Sequence, residues 1–105
     1  MFFYPQEMLQ KSEILQILRR LKGGLSLYGV SRVGLFGSSL RGHAGVDSDI
    51  DILIDFYGDK ETYHNFISTC ELIEKALDNQ RLDIVTVNGL SPYIGKQILK
   101  EVEYV

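Results

Sequence analysis

The spacing of hydrophobic residues along the chain switches repeatedly between a helical and an extended pattern. Residues 6–22 are predicted to form a helix, because apolar residues recur every three or four positions and the residues between them are polar. Gly23 and Gly24 are expected to end that helix. Residues 59–77 repeat the helical spacing, whereas residues 30–36 form a short β-like run. The first part of the chain therefore predicts two helices around extended segments.

Residues 49–56 are predicted to form a strand because every second side chain is apolar, which places all of these side chains on one face of an extended chain. One face carries Ile50, Ile52, Ile54 and Phe56, and the other carries Asp49, Asp51, Leu53 and Asp55. Residues 81–87 are rich in β-branched residues and predict a third strand. Ser91 as N-cap and Pro92 at the first helical position open a last helix carrying Ile94, Ile98 and Val102.

These elements give the order α-β-α-β-α-β-α, if the stretch that begins at Ser38 contributes one or two helical turns. Residues 49–56, 59–77 and 81–87 form a β-α-β unit, whose two strands should be parallel and joined by a right-handed crossover. The short connection after residues 30–36 permits an antiparallel pairing with residues 49–56. The predicted fold is therefore of the α/β (α+β) class, with a small mixed sheet and helices packed on it.

Length and composition limit the number of domains and the cellular location that can be expected for this fold. The chain has 105 residues, of which 45% are hydrophobic, so residues 1–105 are expected to form a single domain around one core. One cysteine excludes an internal disulfide framework, and no apolar run approaches the ~20 residues of a membrane span. The first residues do not resemble a signal peptide. A cytoplasmic protein without a membrane partner is expected.

The formal net charge of −3 conceals an uneven distribution. Residues 1–41 carry six Lys or Arg against two Glu, a net of +4, while residues 42–105 carry five against twelve acidic residues, a net of −7. Nucleic-acid binding needs a basic stripe, and an acidic edge would repel a duplex. No direct nucleic-acid partner is therefore expected.

Three aspartates should meet at one edge of the sheet. Asp49 and Asp51 begin one parallel strand and Asp83 begins the next. Asp49 and Asp51 would lie about 6.6 Å apart along one face, with Asp83 roughly 4.8 Å to the side if the register of the two strands aligns them. Such carboxylates repel one another unless cations neutralise them, and Mg²⁺ prefers oxygen ligands. Two such ions can stabilise both the attacking and the leaving oxygen of a phosphoryl displacement.

A phosphate-binding turn is expected beside these carboxylates. The antiparallel strand 30–36 would bring Gly37 and Ser38 to the same edge. Glycine lets the backbone approach a phosphate closely, and the N–H groups that open a following helical turn can bind an anion. The structural alternative is a Gly-Ser turn followed by an acidic-faced edge strand, which would not explain why three aspartates meet.

The stretch GLFGSSLRGHAGVDSDIDILIDF resembles the signature of the DNA polymerase beta-like nucleotidyltransferase superfamily. That signature is Gly-Ser, separated by ten residues from Asp-x-Asp, with a third aspartate on a later strand. In this chain these residues are Gly37, Ser38, Asp49, Asp51 and Asp83. The element order and the length are similar to those of the minimal nucleotidyltransferases, and the resemblance covers nearly the whole chain.

The resemblance implies a role for each of these residues. Asp49 and Asp51 would hold metal ions, and Asp83 would complete the metal site and help to activate the acceptor hydroxyl. Gly37 and Ser38 would seat the nucleoside triphosphate, whose α-phosphorus is attacked with loss of pyrophosphate. Arg41 follows three residues after Ser38 and would contact a phosphate, although a solvated arginine or a local ion pair explains it equally well.

The resemblance also implies a biological role. Minimal nucleotidyltransferases usually pair with a HEPN toxin, so the chain would be an antitoxin that forms a hetero-oligomer with that toxin and transfers AMP from ATP, with two Mg²⁺ ions, to a tyrosine of the toxin. Two alternatives stay open. The chain could neutralise a partner by occlusion without catalysis, or it could modify a small molecule, although the chain leaves no residues for a second domain that would bind one.

Four other residues have simpler explanations. Asp55 shares the face of Asp51 but lies about 13 Å along the strand, too far to bind the same ions. His43 in the loop before the acidic strand is a candidate for a nucleotide contact, with a solvated histidine the stronger interpretation. His64 is expected at the surface. Cys70 lies in an apolar stripe and is expected to be a small buried side chain rather than a nucleophile.

Overall fold

A computed structural model describes residues 9–37, 49–78 and 80–105. Within them the chain forms three α-helices and four strands. In chain order these are α1 (Lys11–Leu27), β1 (Val30–Phe36), β2 (Ile50–Phe56), α2 (Tyr63–Ala76), β3 (Leu82–Thr86), α3 (Pro92–Glu101) and β4 (Glu103–Tyr104). The α+β class is confirmed. The helical turns expected from Ser38 onward, together with Arg41 and His43, lie outside the described residues.

The strands form one mixed sheet in the order β3-β2-β1-β4. β1 pairs antiparallel with β2, and Phe36 lies opposite Asp51 in that ladder. β2 pairs parallel with β3, and α2 forms the connection between them. Both pairings follow the prediction. The amino ends of β2 and β3 and the carboxyl end of β1 therefore lie at the same edge of the sheet.

Both faces of the sheet are covered. Alternate residues of β2 on one face, Ile50, Ile52, Ile54 and Phe56, pack with α1 and α2 in the larger core, in which Leu18, Leu25 and Ile73 are almost completely buried. On the opposite face Leu53 packs with Phe36 and with Ile98 of α3 in a smaller core. None of the described helices is both long and apolar enough to cross a membrane. The smaller core lies on the face that also carries the aspartates of β2.

The predicted end of the first helix is wrong. α1 continues through Gly23 and Gly24 to Leu27, because Leu25 extends the apolar stripe and is 1% exposed. Gly24 also allows a close approach to α2, since a Cβ there would lie 3.1 Å from Leu72 Cδ2. Packing of the stripe therefore outweighs the low helix propensity of glycine. The helix begins at Lys11, after a capping box formed by Gln10 and Glu13, and the predicted residues 6–8 lie outside the described residues.

The other predicted boundaries differ by a few residues, and one strand was not predicted. α2 begins at Tyr63, where the Thr62 side chain accepts a hydrogen bond from Asn65 N–H. α3 ends at Glu101, so Val102 lies beyond the helix, and Ile94 is 61% exposed. β4 is only two residues long and pairs with Gly34 and Leu35 of β1. So short a strand has no local pattern from which it could be predicted.

Candidate active site

Two of the predicted site residues lie side by side across the parallel strands. Asp51 of β2 is the direct register partner of Asp83 of β3. Neighbouring strands are about 4.8 Å apart, so the two residues are as close as a sheet allows. Asp51 is half-buried, whereas Asp83 is exposed. Of the two paired aspartates, Asp51 is therefore partly shielded by its neighbours, and Asp83 is accessible to solvent.

Asp49 precedes β2 at the same edge and faces an arginine. Its Oδ1 atom lies 3.1 Å from Arg81 Nε, and Ile50 N–H donates a 2.8 Å hydrogen bond to the Arg81 carbonyl. The same Oδ1 is buried and forms no hydrogen bond, because the guanidinium is close enough for an ion pair but badly oriented for a hydrogen bond. Arg81 is therefore a residue of this edge that the sequence analysis did not identify.

Gly37 closes the edge from the side of β1. Its φ of +75° belongs to the left-handed region that favours glycine, and a Cβ there would overlap the Asp51 carboxylate at Oδ2. A side chain at position 37 is therefore excluded twice, by backbone conformation and by lack of space. The motif glycine therefore lies against the Asp51 carboxylate, at the sheet edge to which the sequence analysis assigned it.

Glu101, the last residue of α3, also reaches this edge. Its Oε1 accepts a hydrogen bond of 3.3 Å from Gly37 N–H. The only sequence signal for it is its position, because an acidic residue at a helix C-terminus is disfavoured by the helix dipole and therefore invites another explanation. Which part of the chain it would touch could not be predicted, since 64 positions separate it from Gly37.

The edge fits a divalent cation in its donor chemistry. Carboxylate oxygens are the ligands that Mg²⁺ prefers, and the Asp49 Oδ1 atom is buried without a hydrogen bond. Across residues 9–37, 49–78 and 80–105, no three Asp, Glu, His or Cys side chains form a group that could hold a metal ion, so the predicted convergence of Asp49, Asp51 and Asp83 is not found. That is compatible with Mg²⁺, which usually binds one or two carboxylates together with substrate phosphates.

The remaining candidates lie elsewhere. Asp55 at the far end of β2 accepts a 2.8 Å hydrogen bond from Arg32, and this bond raises the pKa of Arg32. His64 is exposed, as expected. Cys70 is half-buried, and burial, reinforced by the nearby Glu74, raises the pKa of its thiol. A raised pKa keeps the thiol protonated and argues against a nucleophilic role.

Sequence comparison identifies the family. The profile of the nucleotidyltransferase domain family matches residues 11–105. The chain belongs to this family. The protein adenylyltransferase MntA of Thermococcus cleftensis is 42% identical to it over 101 residues, which cover 93% of this chain and 98% of that protein. This nucleotidyltransferase is therefore similar to a protein adenylyltransferase over almost the full length of both.

Solved structures agree with the sequence comparison. A minimal nucleotidyltransferase superimposes on this nucleotidyltransferase with a TM-score of 0.79 at 28% identity, covering 93% of this chain and 98% of that one. A toxin–antitoxin complex with AMP-PNP contains a chain that matches with a TM-score of 0.61 at 21% identity, over 91% of this chain and 72% of that one. The second match shows the fold alone. The fold is therefore that of a minimal nucleotidyltransferase.

Proposed function

We propose that this nucleotidyltransferase is a Mg²⁺-dependent adenylyltransferase that transfers AMP from ATP to a tyrosine hydroxyl of a HEPN toxin. In this role it is the antitoxin of a toxin–antitoxin pair and acts in the cytoplasm. The observation that carries the proposal is the pairing of Asp51 with Asp83 against Gly37. The similarity to a protein adenylyltransferase over 93% of the chain supports a protein as the acceptor.

In the proposed reaction the acceptor hydroxyl attacks the α-phosphorus of ATP. A bond forms between the acceptor oxygen and the α-phosphorus, the bond from the α-phosphorus to the bridging oxygen breaks, and pyrophosphate leaves. Asp83, exposed at the edge, takes the hydroxyl proton. Bound Mg²⁺ would supply neutralisation of phosphate charge, with Asp49 and Asp51 as its ligands and Asp83 completing the site.

Positioning is the main contribution of the chain in this proposal. Asp51 is held by pairing with Phe36 on one side and Asp83 on the other, so its carboxylate is fixed relative to both neighbouring strands. The Gly37 amide is the donor for a triphosphate oxygen. Ser38 and Arg41, which follow it in the sequence, are proposed to contact the same phosphates.

A macromolecular acceptor is favoured by the exposure of Asp83. β3 is an edge strand of the sheet formed by the described residues, and Asp83 is accessible from that side. A tyrosine carried by another protein can therefore approach Asp83 without displacing a described element. A pocket for a small acceptor is not needed for this arrangement.

The test is a labelling experiment with the co-purified toxin and two forms of radioactive ATP. We expect label on the toxin from ATP labelled at the α-phosphate, none from ATP labelled at the γ-phosphate, and loss of labelling with EDTA. Mass spectrometry should find AMP on a tyrosine. Label from the γ-phosphate, or no label while cells remain fully protected by an Asp51→Asn chain, would instead support kinase activity or neutralisation by occlusion.

A further inference from the structure

The contact between Glu101 and Gly37 is unusual in two respects. A glutamate at the C-terminus of α3 faces the negative end of the helix dipole, so its position does not stabilise the helix. Its hydrogen bond to Gly37 N–H is 3.3 Å long, whereas charge-assisted N–H to carboxylate bonds are typically about 2.7–2.9 Å. The contact is therefore a weak one that another anion can replace.

The structure holds Glu101 at this place through the segment that follows it. β4 begins two residues later and pairs with β1 at Gly34, where a Cβ would lie 2.8 Å from the Glu103 carbonyl oxygen. The absence of a side chain at Gly34 therefore lets β4 lie against β1 and fixes the end of α3 beside Gly37. Lys11 pairs with the Glu103 carboxylate at 2.9 Å, but both side chains are largely exposed, so this surface pair adds little to holding the segment.

We infer that Glu101 is a positioning residue that occupies the Gly37 amide until a triphosphate oxygen replaces it, and that its charge thereby sets the affinity for the nucleotide. The inference rests on the proposed function, which makes Gly37 a phosphate donor. The carboxylates of Asp51 and Glu101 flank the same glycine, one on its Cα side and one on its amide. A polyanion entering there must displace one negative charge and approach another.

Glu101→Gln tests the inference because it removes the charge and keeps the shape and an acceptor oxygen. We expect ATP to bind roughly three- to tenfold more tightly to this variant in calorimetric titrations, with the larger gain in the absence of Mg²⁺, since the lost repulsion is electrostatic. In the transfer reaction the KM for ATP should fall while kcat changes by less than about twofold, because Glu101 does not touch the reacting atoms.

Glu103→Gln is the matched control. Glu103 lies two residues away, carries the same charge and pairs with Lys11 at 2.9 Å, away from the Gly37 amide. Its variant should bind ATP as the wild type does. The amide resonance of Gly37 in a ¹H–¹⁵N spectrum gives a readout without ligand, and it should shift in Glu101→Gln and Glu101→Ala but not in Glu103→Gln.

The two hypotheses fail in different ways. Wild-type binding of ATP with equal or weaker binding by Glu101→Gln would overturn the inference and leave the proposed function standing. No ATP binding by the wild type or by any variant would overturn the proposed function and the inference with it. Equal tightening in Glu103→Gln would show a general charge effect and would also overturn the specific role of Glu101.

Discussion

The two ends of β2 carry similar residues in very different states. At the far end, Asp55 accepts a 2.8 Å hydrogen bond from Arg32, whose guanidinium lies 4.4 Å from the centre of the Tyr104 ring. At the site end, Asp49 faces Arg81 at 3.1 Å, with an orientation that leaves its Oδ1 without a hydrogen bond. One aspartate–arginine pair is joined by a hydrogen bond as well as by charge, whereas the other is an ion pair without a hydrogen bond.

This difference marks the Asp49 end of β2 as the candidate binding end. Proteins generally satisfy buried polar atoms, and the exceptions concentrate where another molecule binds. Arg32 already has a hydrogen bond to Asp55, which raises its pKa, and a contact with the Tyr104 ring. No ligand is needed to explain its position. The Asp49 carboxylate gains from a better-oriented partner, and a cation is the partner that its chemistry favours.

The two ends of β1 show the same contrast. Gly29 and Gly37 lie just outside the strand, and both have positive φ, +84° and +75°. A Cβ on Gly29 would overlap the Lys60 side chain, which is an ordinary packing neighbour, while a Cβ on Gly37 would overlap the Asp51 carboxylate. The same backbone conformation is therefore a structural turn at one end and part of the candidate site at the other.

The strongest test of this contrast compares Asp51→Asn with Asp55→Asn. Asp51→Asn should lower the rate of AMP transfer by on the order of 10²–10³-fold. The substitution removes a proposed ligand of the Mg²⁺ that would neutralise the phosphate charge. Asp55→Asn should keep the wild-type rate within about twofold. The measurement is labelling of the partner toxin at saturating ATP, with circular dichroism as the check on folding. Equal rates for the two variants would refute the assignment of the site end.

The glycines give an effect of intermediate size. Both Gly29→Ala and Gly37→Ala should lower the free energy of unfolding by about 1–3 kcal/mol in urea titrations, since each forces a side chain into a left-handed conformation. Only Gly37→Ala should also abolish ATP binding. If both variants lost ATP binding equally after correction for the unfolded fraction, the assignment of Gly37, and not Gly29, to the nucleotide site would be wrong.

The two arginines give the smallest effect. Arg32→Gln should cost up to about 1 kcal/mol of stability, because it removes an exposed ion pair and a cation–π contact. Arg81→Gln should change the free energy of unfolding by only a few tenths of a kcal/mol. It should, however, lower the Mg²⁺ concentration that gives half of the maximal thermal stabilisation, because the Arg81 guanidinium no longer competes with Mg²⁺ for Asp49. If the Mg²⁺ dependence of thermal stabilisation were unchanged in Arg81→Gln but altered in Arg32→Gln, the candidate metal site would lie at the Asp55 end of β2 instead.

Much of this architecture was predictable because its causes are local. Strict alternation placed Asp51 near the start of a strand, and the crossover rule placed Asp83 on the neighbouring parallel strand. The register that pairs Asp51 with Asp83 was left open by the sequence and is given by the structure. The end of α1 was missed because glycine propensity is a weak local signal, which burial of Leu25 and the close approach to Leu72 outweigh.

Other parts depend on contacts that no local pattern contains. β4 exists through its pairing with Gly34 and Leu35, and two residues are too few to show a period. Glu101 reaches Gly37 only because β4 fixes the end of α3. Arg81, just before β3, adjoins Asp49, just before β2. The sequence therefore named the candidate carboxylates, whereas their protein partners required the tertiary structure.

The parallel pairing of β2 with β3 also has a consequence for the order of folding. Asp51 and Asp83 become neighbours only after α2 has formed and returned the chain to the sheet, a contact between residues distant in sequence that forms slowly. A site that needs both carboxylates is therefore assembled late in folding. A cation that binds there would stabilise the native state more than the folding transition state, and so should act by slowing unfolding rather than by speeding folding.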